Sequence, residues 1–527
     1  MLFATGKPRL DKVPSALPNE GCKAPLPRLI TRPGEQSHDL RKGLGQVKRH
    51  RRLRLILLII ILLFLGLPPE RASFWATIRT GDAHLERQEY HAALDAYRQA
   101  ADLWPANPIA FLRQGQTYLA LQDYARAQDA FLDAMRRGGP TWEARLGLAD
   151  AHAGLGEHAL ALAEWRALAD ERPGTAEVHH RLGRAYMSRG EWPAAKREFA
   201  TILDTRPEVA PRIAQLAHYN LGLLLAVDDP TMAVTHLESA TAGPDGEVST
   251  AARQVLAALH TAQSADDRAY AAALLGQAFM TVDEPELARR QFEAALALDP
   301  AYPAAHAYLG HVLGQQGKDR LALYHLAAAI KLDRSYVMGY YFLGTYLRDR
   351  GEPCRARLFF VRALTLDPGN AALCVDIAQT YLAVLDYASA EAWLRHAVEL
   401  APEDGQFHRI LAQFYADHLI QVRERGLPAA RKAVDLAADD PLAHDTLGWA
   451  LYLTGGLRAA QSSLQRALEL DPHLASAHYH LGVVYAAQRR WGDAQWEYTR
   501  VMDLDPGGPF AERAEGAMAE MSRLSGR

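Results

Sequence analysis

RAYAAALLGQAFMTVDEPELARRQFEAALALDP, from Arg268 to Pro300, is the stretch that decides the fold of this chain. Its first half sets Leu275, Gly276 and Phe279 on one stripe at helical spacing. The break at Val282-Asp283-Glu284-Pro285 ends that helix, and Pro285 suits the first turn of a second one, where an N–H has no partner to lose. Ala288, Phe292 and Ala295 make the second stripe. Asp299-Pro300 closes the unit, because proline disfavours helical geometry in the residue before it. The stretch is therefore a helical hairpin whose apolar face only a neighbouring hairpin can cover.

Working outward, the same unit recurs. Small residues fall 34 positions apart at Gly81, Gly115, Ala149 and Gly183, then at Gly276, Gly310, Gly344, Ala378 and Ala412, and once more from Gly448 to Gly482. A fixed period of this length specifies stacked units rather than one globular core. Gly276 and Ala288 are expected on facing helices, with Phe292 and its equivalents Leu326, Phe360 and Leu394 filling the space between hairpins. The register slips from Gly183 to Gly222, 39 residues, and from Gly222 to Gly276, 54 residues. The second slip holds Ser249 to Asp267, with Val255, Leu256 and Leu259 on one face, and reads as an extra helix. A third slip, around Gln421 to Gly426, reads as a longer turn. Glu512 to Leu524 reads as a capping helix over the last unit.

This pattern resembles the tetratricopeptide repeat family, whose units carry an apolar-Gly pair, an aromatic or aliphatic residue, Ala, an aromatic, Ala and Pro in fixed order. Leu182-Gly183, Tyr186, Ala195, Phe199 and Pro207 fit it, as do Leu343-Gly344, Leu347, Ala356, Phe360, Ala363 and Pro368, and Leu481-Gly482, Tyr485, Ala494, Tyr498 and Pro506. The resemblance covers roughly Phe74 to Gly508 and implies an all-α, right-handed superhelical solenoid of about twelve hairpins. The expected layout is a block of about five repeats at 74–247, an extra helix or linker at 248–268, a block of about seven repeats at 269–508, and a cap at 509–527. The resemblance further implies that the first helix of each hairpin lines a concave binding surface. Its inward places hold His311 in one unit, Met338, Tyr341, Thr345 and Arg348 in the next, then Gln379 and Gln413. Leu442, Asp445, Trp449 and Tyr452 follow, and after them Tyr479. Aromatic area with the directed hydrogen bonds of Arg and Gln suits peptide recognition. Some members of the family clamp a terminal carboxylate with Lys and Asn at these places. Only four Asn occur in this chain, none on the stripe, so such a clamp is not expected.

The front end is a different object. Residues 1–54 carry 13 Lys or Arg against 4 Asp or Glu, a net of +9, while the whole chain is −4 and the remainder therefore −13. Residues 1–52 read as a basic, disordered tail. Leu55 to Leu67, LILLIIILLFLGL, is uncharged, flanked by Lys48, Arg49, Arg51, Arg52 and Arg54 and followed by Pro68-Pro69. Its thirteen residues fall short of the about 20 that span a bilayer, unless Leu53 joins and Arg54 snorkels. No site with small neutral residues for signal cleavage follows, so residues 53–69 are expected to form an uncleaved transmembrane signal-anchor helix. Positive charge before it puts the N-terminus in the cytoplasm and the array outside, on the inner membrane of a bacterium. A start near Val47 would look like an ordinary short-tailed anchor of this kind.

The three cysteines, Cys22, Cys354 and Cys374, form no C-x-x-C pair. Phosphate-loop, zinc-protease and nucleophile-elbow motifs are missing. His306/His311 and His478/His480 lack the spacing that sets two imidazoles side by side on a helix, and read as satisfied histidines. The expectation is a membrane-anchored, non-catalytic scaffold for protein or peptide partners, with no cofactor, metal or nucleic acid. The alternative is a regulatory or targeting subunit of an envelope enzyme complex, such as one for polysaccharide synthesis or export.

Overall fold

The computed structural model describes residues 69–139, 141–204 and 209–525. The basic tail and the apolar segment expected to form a membrane anchor lie outside the described residues. Among the described residues, no helix is long and apolar enough to cross a membrane. These residues form twenty-six α-helices, one short π-helix and no strand.

The hairpin logic read from Arg268–Pro300 holds along the array. Periodic glycines of the first helices receive a large side chain from sixteen positions later on the second helix, among them Phe131 against Gly115, Phe199 against Gly183, Phe292 against Gly276, Leu326 against Gly310, Phe360 against Gly344 and Tyr498 against Gly482. A Cβ at Gly276 would stand 2.6 Å from the Phe292 ring, well inside van der Waals contact. Phe131, Phe199, Phe292 and Phe360 are fully buried, as is Ala288 on the facing helix. Glycine here lets two backbones approach, and the aromatic fills what the glycine leaves.

Every hairpin but Pro211–Thr241 turns in the same way. One residue after the first helix adopts a left-handed conformation, at Gln88, Gln122, Gly156 and Gly190, then at Asp283, Gly317, Gly351, Leu385 and Leu419, then at Gly455 and Arg489. The next N–H folds back to a carbonyl five residues earlier, as in Glu284 to Phe279 (2.8 Å) and Lys318 to Leu313 (2.9 Å), which ends the first helix by satisfying its last carbonyls. At several joints between hairpins the start of the next helix is capped by an Asp or Asn side chain, as at Asn107, Asp267, Asn370 and Asp440.

A histidine secures the joint between successive hairpins. Nε2 of His179, His306, His408, His444 and His478 donates to the carbonyl six residues upstream, at 2.9–3.1 Å. Nδ1 of three of them meets the second helix, at Glu198 (2.7 Å), His325 (2.9 Å) and Glu497 (2.6 Å). The histidines are thus satisfied structural groups, and Tyr340 reaches the same kind of carbonyl, of Arg334, at 3.2 Å.

The irregular regions have their own solutions. Gly246–Ser264 is a helix after the hairpin Pro211–Asp228 and Pro230–Thr241, with Val255 and Leu259 buried. Buried Gln215 binds the carbonyls of Ala240 and Asp245 and accepts from the Asp245 N–H, which knots its base. One apolar cluster runs without interruption from Leu146 to Ala322, so the core does not break at this helix. Arg184 pairs with Glu284, and Arg290 with Asp228 (2.8 Å), across it. The third slip differs from the longer turn expected there. Val422–Gly426 winds as a π-helix that runs straight into Leu427–Leu436, after left-handed Leu419 and Gln421. The wider winding absorbs the added residues without unstacking the hairpin. The final helix is Pro509–Ser525.

Candidate peptide-binding groove

Three consecutive first helices, Gly405–Asp417, Pro441–Leu453 and Ala475–Ala487, together with the final helix, enclose a bowl of about 940 Å3. Gln413, Trp449 and Tyr479 line it. Its floor is built on Asp445, 5% exposed, which accepts from Ser476 Oγ and from His480 Nδ1, each at 2.7 Å. That anchor fixes the His480 ring flat against Trp449, with centroids 4.4 Å apart and 18° between planes. Tyr452 also stacks on Trp449, at 5.0 Å with 16° between planes. Tyr452 does not line the bowl; it supports the indole. Phe510 closes the far wall, 5.8 Å from Tyr479 and 6.0 Å from His480.

The charges of the bowl are unevenly committed. Asp445 is consumed by Ser476 and His480. Arg513 rests over the Phe510 ring at 5.4 Å and acts on the Asp417 carboxylate only through its field, without a close ion pair among the described residues. Arg409 stands 3.7 Å from Asp440, and its Nε is buried with no hydrogen-bond partner. Asp417 opens to solvent on one side, yet the walls strip enough water from its carboxyl to push its pKa up against the pull of His418, His480 and Arg513. Burial likewise pushes up the Tyr479 hydroxyl. The groups with the fewest polar commitments are therefore the aromatic rings and the guanidinium cations.

The other expected residues lie elsewhere along the array. Arg348 donates to Asp376 at 2.9 Å and to Gln379 at 3.2 Å, so two of them form one internal network. Burial pushes the Asp376 carboxyl up against the opposing pull of Arg348. His311 stacks on Phe342 at 4.4 Å and lines a separate pocket of about 230 Å3 with Tyr346 and Arg350. Burial lowers its pKa. Tyr341 leans on Phe342 and Phe360, and Thr345 is buried; both serve the packing between hairpins. The sequence reading passed over Arg409, Asp417, Phe510 and Arg513. The first two lie on the helix that carries Gln413, four residues to either side of it, and were in reach of the same periodicity. Phe510 and Arg513 belong to the cap, which was read for closure alone.

Profiles of the tetratricopeptide repeat match residues 78–134, 112–176, 273–336 and 446–509, and a further one 347–414, together more than half of the chain. No curated protein sequence matches it. Among solved structures, yeast Tom70 is similar at 16% identity and TM-score 0.41, over 86% of this chain and 96% of that one. The Cut9-Hcn1 hetero-tetramer of APC/C is similar at 15% identity and TM-score 0.36, over 87% and 98%. YrrB, described as having an unusual peptide-binding site, is similar at 26% identity and TM-score 0.28, over 36% and 97%.

Proposed function

Because the chain belongs to the tetratricopeptide repeat family, we propose that it is a non-catalytic scaffold that captures peptide segments of partner proteins, with the Trp449 bowl as the capture site. The observation that carries this reading is the coexistence in one concave site of an immobilised aromatic wall and a guanidinium held in no close ion pair among the described residues. Trp449 is stacked against two rings before any ligand arrives, so little side-chain freedom is lost on binding. A peptide side chain with apolar area beside a carboxylate would satisfy both Phe510 and Arg513. Random-peptide selection on the whole purified chain tests this. Peptides enriched by the parent should be lost from a Trp449→Ala/Arg513→Glu variant of unchanged helicity. Recovery of the same peptides would remove the bowl as the site.

The scaffold is further proposed to be tethered to the inner membrane through residues 53–69, with its N-terminus cytoplasmic and its array outside. The support is the uncharged run Leu55–Leu67 behind five basic residues. Cys354 is exposed on the array. An impermeant thiol reagent added to intact, outer-membrane-permeabilised cells should modify it, and full protection would overturn the orientation.

A further inference from the structure

The two ends of the array touch. Asp503, on the last hairpin's second helix Trp491–Leu504, accepts at one carboxylate oxygen from the backbone N–H of His91 (2.9 Å) and from His91 Nδ1 (2.6 Å). His91 lies in the first turn of Tyr90–Leu103, whose own N-cap residue Glu89 makes no side-chain cap bond. Asp503 thus caps that helix from the far end of the chain. Arg500 donates to the carbonyl of Gln88 at 2.8 Å, the left-handed residue of the first hairpin's turn. A cavity of about 500 Å3 remains between the ends, lined by His91 and Leu94 on one side and Met502 and Pro506 on the other.

The preceding hairpin supplies an internal comparison. Arg466 and Glu469 occupy the same places on its second helix, 34 residues earlier, and pair with each other at 2.9 Å with side chains 49% and 65% exposed. Arg500 and Asp503 repeat that pair at 3.6 Å, with side chains only 10% and 2% exposed. One pattern is solvated in one unit and sealed in the next, so the burial comes from the meeting of the ends and not from the hairpin. Backbone groups of the first turn, not only its side chains, are read at the contact.

We propose that Arg500 and Asp503 form an intramolecular latch that holds the first hairpin against the last, closing the array on itself, and that the array has a second, open state in which this seam has parted. A polar contact flanked by a cavity, with little apolar burial, favours exchange between the two over permanent closure. A partner segment encircled by the closed array enters by its free end or through this seam.

Spin labels at exposed Gln122 and Glu515, on opposite walls of the seam cavity, test the latch by pulsed dipolar spectroscopy on the whole chain, with Cys22, Cys354 and Cys374 replaced by Ala. The parent and an Arg466→Ala/Glu469→Ala variant should give the same short, narrow distance. Arg500→Ala/Asp503→Ala should lengthen and broaden it at unchanged helicity. If that double variant loses helicity, Arg500→Ala alone is decisive. A long distance in the parent overturns the proposal, as does an unchanged distance in the seam variants. So does loss of the short distance on dilution with unlabelled chain, which would place the seam between two copies.

Discussion

Gly310→Leu puts the packing rule of the hairpin to a quantitative test. Gly310 lies on Pro303–Gln315, and a Cβ there would stand 2.7 Å from Leu326 Cγ and 3.0 Å from the Leu326 backbone nitrogen. Ordinary carbon contacts begin near 3.5 Å. The Leu326 side chain, itself fully buried, has no vacant rotamer to retreat into, and a backbone atom cannot rotate away. The helices must separate. Overpacking of this kind costs about 1–3 kcal/mol, and four added carbons in a sealed interface argue for about 3. Leucine's better helix propensity offsets about 0.8 kcal/mol. The net loss is therefore roughly 2 kcal/mol, or roughly 30-fold in the opening equilibrium. A repeat array opens in segments, so a single melting midpoint would average this away. Hydrogen–deuterium exchange followed by peptide mass spectrometry reads it locally. Protection should fall most in peptides from 303–332 and less in the adjacent hairpins. Gly516→Ala is the matched control, since nothing lies within 4 Å of that Cβ position; there the removal of a mid-helix glycine should stabilise by roughly 0.5–1 kcal/mol. Unchanged protection at 303–332 in the Leu variant, or a maximal loss in a distant hairpin, would refute the stacking register.

Three other outcomes are expected. Leu385 is left-handed at φ 61° and 70% exposed, so Leu385→Gly should relieve strain and raise local stability by roughly 1 kcal/mol, read as slower hydrogen exchange in peptides from 371–400. His180 and His325 are pushed down to about 4, chiefly by burial, then by Arg181 and Arg184 for the first and by His306 for the second. The unfolded chain takes up these protons more readily, near the free value of about 6.5, so the stability they contribute is present above that pH and lost as pH falls towards 4. Denaturant midpoints should drop over that window and drop less in His325→Gln; a flat profile would refute the assignment. Asp445→Ala would leave Ser476 and His480 without their shared acceptor, costing about 1–3 kcal/mol, and should shift Trp449 emission as the ring stack loosens.

How much of this was legible depended on the distance over which each feature is encoded. Gly276 and Phe292 sit on adjacent helices of one unit, so a 34-residue period carries their pairing directly. The turn was harder. Its left-handed residue also recurs at the period, but Gln88, Asp283, Leu385 and Arg489 occupy it as readily as glycine, because Schellman bonds and tertiary packing outweigh the intrinsic cost. The histidine joints were hidden for a related reason: the acceptor is a backbone carbonyl six residues back, which any sequence supplies. In the groove, Trp449, Gln413 and Tyr479 followed from position in the unit, whereas Thr345 and Tyr341 hold the same positions and face packing instead. Curvature from one hairpin to the next decides which inward place is open, and curvature accumulates from many small rotations that no single unit encodes. The meeting of His91 with Asp503 is the extreme case.

That meeting also changes how the array should come apart. In an open row of stacked units, each end has one neighbour and frays first, and unfolding travels inward from there. Here the Asp503 carboxylate and the Arg500 guanidinium give the first hairpin a neighbour at the far end of the chain. A row becomes a cycle, and a cycle has no terminal unit to start from. While the seam is closed two interfaces must fail before any hairpin is released, so the first and last repeats should be better protected in the parent than in Arg500→Ala/Asp503→Ala.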